Sequence, residues 1–116
     1  MAAEEVTEHQ AVLVEAFLQP TRLKIVALLS GCASAQFRSV RDRLELSDSL
    51  LSKHVAGLRK EGLVAVHKSF VGGLPHTWLS LTCTGRTAFA GHVAALQKMA
   101  ADVVWPEDKP ATDSAP

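Results

Sequence analysis

Residues 37–62 read FRSVRDRLELSDSLLSKHVAGLRKEG, two short amphipathic helical patterns joined by a turn around Leu46 and Ser47. In the second pattern Leu51, Val55 and Leu58 recur at i, i+4 and i+7, which gathers them into one narrow apolar arc that must face a core. Ser49, Lys53, Ala56 and Lys60 then fall roughly 140 to 200° from Leu51, on the side that packing leaves free. This free face is short, polar and basic. A helix entering a major groove needs such a face, because bulky side chains hold it off the base edges while hydroxyl and ammonium groups can bond bases and phosphates. Two helices so spaced make a helix-turn-helix, and the pattern points to duplex DNA.

The ends of the second helix add to this reading. Ser47 stands where an N-cap belongs, and the helix N-terminus is itself favourable to a backbone phosphate. Asp48 suits the helix dipole but repels phosphate, so it is expected to cap, to pair with a nearby Arg, or to accept from a cytosine amino group. Arg59 and Lys60 place two further cations in the last turn.

Charge is segregated along a chain that is neutral in total. Residues 1–19 carry four Glu and no Lys or Arg, for a net −4. Residues 20–68 carry nine Lys or Arg against four Asp or Glu, for a net +5, and residues 69–116 carry three against four, for −1. Phosphate affinity depends on local charge, so overall neutrality does not argue against nucleic acid.

Working outward, Val6, Leu13, Val14, Phe17 and Leu18 predict a first amphipathic helix from about Glu4 to Phe17, ending before Gln19, which Pro20 restricts. Pro20 opens a second helix through Leu29, closed by Gly31. A loop follows from Cys32 to Gln36; the third helix spans roughly Arg38 to Leu44, and the fourth roughly Asp48 to Glu61. Gly62 ends it, and Leu63, Val64 and Val66 lead into a strand. A loop holding Gly72, Gly73 and Pro75 connects this to a second strand, Thr77 to Leu81. In that strand Thr77, Leu79 and Leu81 share one face while His76, Trp78 and Ser80 share the other, and Trp78 reads as structural. A hairpin directly after a candidate recognition helix is a wing, with Lys68 as the only full charge near its tip. Thr82 caps a fifth helix running to about Val104. Along it Phe89, Val93, Leu96, Ala100 and Val103 follow a 4, 3, 4, 3 spacing that suits packing on another helix. With Val6, Leu13 and Phe17 of the first helix, this stripe predicts a twofold homodimer.

The expected fold is therefore mainly α: a dimeric winged helix-turn-helix with five helices and the wing between the fourth and the fifth. One domain spans residues 1–105, and the Pro-, Asp- and Ser-rich residues 106–116 read as a disordered tail. The start of the chain lacks a signal-peptide pattern and no apolar run could span a bilayer, so a cytoplasmic protein without membrane contact is expected. Two cysteines, Cys32 and Cys83, fit a reducing compartment and form no metal motif. With no Ser-His-Asp spacing, no glycine-rich phosphate loop and no paired carboxylates, neither catalysis nor a cofactor is indicated.

The segments QPTRLKIVALL, RDRLELSDSLLSKHVAGLRKEGLV, HTWLSLT and TCTGR together resemble the small one-domain branch of the winged-helix bacterial transcriptional regulators of the MarR and ArsR type, from Gln19 to about Leu96. The resemblance implies a homodimer that binds a pseudo-palindromic operator near a promoter, usually as a repressor, and releases it on a signal. By position, Ser47, Ser49, Ser52, Lys53 and His54 match the residues such proteins place at DNA. With Asp48, Leu50, Arg59, Lys60, Arg38 and Lys68 they form the candidate DNA-contact set. Four positions depart from the family pattern: Leu50 stands where a polar residue is common, Glu45 where Gly ends the third helix, Arg38 where Ser caps it, and Cys83 where Pro is usual. Leu50 can touch a thymine methyl or pack against the third helix.

The releasing signal has three readings. A small-molecule effector between helices is the first. The second is a thiol sensor using Cys83, whose place in the first turn of the fifth helix favours thiolate. The third is a metal sensor drawing on His54, His67, His76, His92 or a cysteine, although such relatives carry clustered cysteines that this chain lacks. From another class, winged helices also serve as docking modules without DNA affinity.

Overall fold

The computed structural model describes residues 11–103. Helices α1 (Pro20–Ser30), α2 (Phe37–Leu44) and α3 (Asp48–Lys60) precede a hairpin of β2 (Val64–Val71) and β3 (Leu74–Leu81), and α4 (Cys83–Ala101) follows it. A two-residue strand, β1 (Ala35–Gln36), adds to the outer edge of β3, so the antiparallel sheet runs β1-β3-β2. Ala35 and Gln36 lie in the expected loop; two residues are too few to display the alternation that marks a strand. The second, third, fourth and fifth expected helices correspond to α1, α2, α3 and α4, with ends within about three residues of those expected.

Local chemistry explains the boundaries. Pro20 occupies the first position of α1, where its missing N–H costs nothing, and Gln19 caps it by accepting from the Arg22 amide. Glu45 ends α2 with φ 55°, a left-handed conformation that usually goes to glycine, and its amide reaches back to the Arg41 and Asp42 carbonyls. Gly72 and Gly73, both at positive φ, make the hairpin turn in two residues. That shortens the expected loop: Pro75 lies inside β3, opposite Phe70, at a pair that exchanges no ladder hydrogen bonds, so the absence of its N–H is tolerated.

The core lies between α1, α2, α3 and the inner face of the sheet, with Ile25, Leu29, Val40, Leu51, Leu58 and Leu79 fully buried. Trp78 is half-buried on the opposite face of the sheet, stacked on His67 and donating to the Ser69 hydroxyl at 3.0 Å, which bears out its structural role.

The expected first helix is corrected where it can be seen. Residues 11–14 are not helical and Glu15–Leu18 form a single 3-10 turn. Val14 is extended and donates its amide N–H to His92 Nδ1 at 2.9 Å, a bond that replaces the i−4 carbonyl a helix would have offered. Phe17, expected at a dimer contact, is fully enclosed, edge-on to Phe89 and to His92. Val6 and the tail at 106–116 lie outside the described residues, as does the end of the fifth helix near Val104; α4 stops at Ala101, with Asp102 as its cap.

His92 is buried, and because Nδ1 accepts from Val14 its proton sits on Nε2. Burial disfavours the charged ring and holds its pKa below the ordinary 6.5; His54, also buried, is lowered for the same reason and by Arg22 and Lys53 nearby. The unfolded chain therefore takes up protons before the folded one as the pH drops. Stability is complete above about 6.5 and declines as the pH falls through that value toward the folded-state values. The urea midpoint should be lower at pH 5.5 than at 7.5, and His92→Gln, which keeps an acceptor but cannot titrate, should reduce that difference.

Candidate nucleic-acid interface

The free face of α3 is the centre of the site. Leu51, Val55 and Leu58 are buried, as their spacing required, while Ser49, Lys53, Ala56 and Lys60 are exposed on the opposite side. Ser47 caps the helix by accepting from the Leu50 amide at 3.1 Å, which fixes the register at which this face begins. Leu50 is 39% exposed, on the flank turned away from the wing, where it is open to an apolar contact.

Of the three expectations for Asp48, the structure realises pairing with an arginine. Arg41 of α2 donates from Nη1 to Asp48 at 2.8 Å and from Nε to Asp42 at 2.8 Å. Those two hydrogen bonds push the Arg41 pKa further up, and the one to Asp42 holds that carboxyl below the usual carboxylate range. The bridge ties the two arms of the helix-turn-helix together and offsets the carboxylate at the N-terminus of α3, where phosphate is expected.

Between α3 and the wing runs an open groove of about 560 Å³. Its floor is apolar, from Phe37, Val55, Val66 and Leu79, and its rim carries Asp48, Ser52 and Arg59 from the helices and Lys68 and Thr77 from the hairpin. Asp48, Ser52, Arg59 and Lys68 of the expected set therefore converge here, while Ser49, Leu50, Lys53 and Lys60 line the outer face of the same helix. Arg41 and Thr77 were missed by the sequence reading. Thr77 had a usable signal, since it alternates with Leu79 on the face that packs inward.

Two expected contacts lie elsewhere. Arg38 is exposed but sits beside Leu74 to Thr77 at the edge of the wing, its Nε donating to Gln36 Oε1 at 3.3 Å, and takes no part in the groove. His54 is 7% exposed and turned toward α1, so it does not reach the outer face of α3. Its Nδ1 accepts from Arg22 Nε at 3.2 Å. Gly57 makes room for that contact: a Cβ there would sit 2.8 Å from Arg22 Cζ, so the guanidinium lies flat against the helix only because residue 57 has no side chain.

At the far end of the domain Cys83 is exposed at the first residue of α4, in a hollow of about 470 Å³ shared with Val12, Val14, Thr84, Thr87 and Ala88, and Cys32 is half-buried. Among the described residues no three His, Cys, Asp or Glu side chains converge as a metal site would require, and no helix is long and apolar enough to cross a membrane.

Comparison with known proteins agrees with this geometry. An uncharacterized protein of Methanocaldococcus jannaschii, MJ0432, is 30% identical over 87 residues, covering 75% of this chain and 95% of the relative. The solved structure of a transcriptional regulator homologue from Pyrococcus horikoshii superposes with a TM-score of 0.71 at 22% identity, over 87% of this chain and 97% of that one. A MarR family transcriptional regulator from Silicibacter pomeroyi gives 0.61 at 22% identity, over 87% and 66%. These two likenesses establish the shared winged-helix fold. Residues 21–100, most of the chain, match the family described as winged helix DNA-binding domain, and this chain, a DNA-binding protein and not an enzyme, belongs to that family.

Proposed function

We propose that the chain is a transcriptional regulator that binds an inverted-repeat operator as a homodimer, acts as a repressor, and is released by a small-molecule effector. The observation that carries this reading is the outer face of α3, where short side chains alternate with Lys53 and Lys60 and none of the other described residues covers them. Support for the dimer comes from apolar side chains left exposed near the chain ends: Val12, Leu13 and Leu18 in the first segment, and Leu96, Met99 and Val103 at the end of α4. A monomer would leave that apolar surface in water. The hollow between Val14 and the start of α4 is the place for an effector, since a ligand there would contact the first segment, which a dimer uses, and the opening turns of the helix whose far end it uses.

In a homodimer the two recognition helices would enter major grooves about one helical turn, or ~34 Å, apart. Selection of duplexes from a random pool at low salt, followed by footprinting, should return an inverted repeat with that spacing. A protein that retains no duplex at low ionic strength removes the reading. Lys53→Ala should weaken binding by a few kcal/mol at most, equally on all retained sequences, and lower the slope of log affinity against log salt by about one. An unchanged slope would take Lys53 off the phosphate.

A further inference from the structure

The wing ends in an apolar tip that the other described residues leave exposed. Phe70 is 72% exposed, Val71 57% and Leu74 64%, within five residues of one another. Soluble domains rarely leave such clusters bare, and on the end of a strand pair they invite aggregation. Their placement supplies a reason. Side chains two apart along a strand share a face, and the cross-strand pairs Val66 with Leu79, Lys68 with Thr77, and Phe70 with Pro75 follow one another outward along the same face of the hairpin. The first pair floors the groove beside α3 and the second forms its rim. Phe70 and Pro75 are the next step, about 7 Å beyond Lys68 at the strand rise of ~3.4 Å per residue.

We propose that Phe70, backed by Pro75, is an apolar wedge that enters the minor groove next to the major groove read by α3 and partly unstacks a base step. The inference rests on the DNA reading above. Duplex DNA is the occupant that fits, for two reasons. The apolar pair continues the face that already carries Lys68 and Thr77 at the groove. From Gly62 to Ala101 the sequence contains no Asp or Glu, so the hairpin presents no carboxylate to a phosphate wall. Phe and Pro are among the side chains that wedge between base steps from the minor groove and kink a duplex toward the major groove. The turn Gly72-Gly73, two residues with no side chains, adds no bulk beyond Phe70 and Pro75 to hold the tip off a groove about 6 Å wide. In this arrangement the wing acts through bending and shape, which suits a wing with a single cation, and it would favour flexible pyrimidine–purine steps opposite Phe70.

The test uses the full chain and a 30-bp duplex recovered by it from a random pool, labelled at both ends for energy transfer. The wild type should shorten the end-to-end distance on binding. Phe70→Ala, at an exposed position that leaves the core intact, should bind about tenfold more weakly and leave the duplex straight, while Phe70→Leu, still an apolar wedge, should keep the bend and most of the affinity. A wild-type complex with a straight duplex overturns the wedge, as does a Phe70→Ala protein that binds and bends normally. So does a Phe70→Ala protein whose only change is weaker self-association, because the tip then belongs to a second copy of the chain. Failure of the wild type to recover any duplex sinks the regulator reading, and the wedge with it.

Discussion

Gly85→Ala is expected to destabilise the protein by roughly 3 kcal/mol, at the upper end of what overpacking costs. Helix propensity alone forecasts the opposite sign, since alanine in a helix is favoured over glycine by about 1 kcal/mol. The contact decides between the two. A Cβ on Gly85 would be driven into the Leu63 carbonyl oxygen and would lie 3.0 Å from the carbonyl carbon, both main-chain atoms that no rotamer change can move aside. The Leu63 main chain is itself held, its N–H bonded to the Leu58 carbonyl at 3.0 Å and its oxygen accepting from the Thr82 amide at 3.1 Å. Thr82 caps α4 by accepting from the Gly85 amide at 2.8 Å and donates its hydroxyl to the Gly62 carbonyl at 2.6 Å. The start of α4 is thus fastened to the segment that joins α3 to the wing, and relief of the clash must move that segment. Duplex affinity should fall along with the urea midpoint. Gly57→Ala is the internal control: its Cβ meets only the guanidinium end of Arg22, which can swing away, so its stability should stay within about 1 kcal/mol of wild type, the size of the propensity gain that opposes the lost contact.

That contrast also marks what the sequence could and could not tell. The inward ridge of α3 was legible because Leu51, Val55 and Leu58 repeat over two turns, and its cap was legible because Ser47 acts on an amide three residues away. The groove beside it was half legible: Lys68 and Ser52 announced themselves by chemistry, whereas Arg41 had to be recruited by Asp48 across the turn. His54 entered the candidate set by its position in the resemblance; three residues after Leu51 and four before Leu58 it falls on the inward ridge, and it is buried there with its Nδ1 accepting from Arg22. Over the described residues 11–18 the apolar spacing of Leu13, Val14 and Phe17 is compatible with a helix, yet Val14 is extended and bonds to His92, 78 residues on, a partner the local pattern does not announce. Gly85 and Gly57 are both glycines inside helices, which the sequence alone does not distinguish; one faces main chain and the other a flexible side chain. Local chemistry and helical period survive the step from sequence to structure, and features fixed by a single distant partner do not.

Phe17→Ala is the substitution expected to cost most, about 3–5 kcal/mol, the range for emptying a buried aromatic site. Phe17 has no exposed surface, and its ring meets Phe89 at 6.3 Å between centroids and His92 at 5.4 Å, both edge-on. Such a loss approaches the whole stability of a small domain, commonly about 5–15 kcal/mol. The substitution also separates two roles that the sequence reading merged. As a dimer contact, Phe17 would act through association, and the drop in melting temperature would shrink as protein concentration rises. As a core residue it acts within one chain, and the drop should be the same at micromolar and at hundreds-of-micromolar protein. Leu13→Ala supplies the comparison: at 40% exposure it leaves little cavity, so its cost should be small and should depend on concentration if the homodimer uses that surface. The burial of Phe17 beneath α4 therefore predicts a large, concentration-independent loss, and a concentration-dependent one would return Phe17 to the interface.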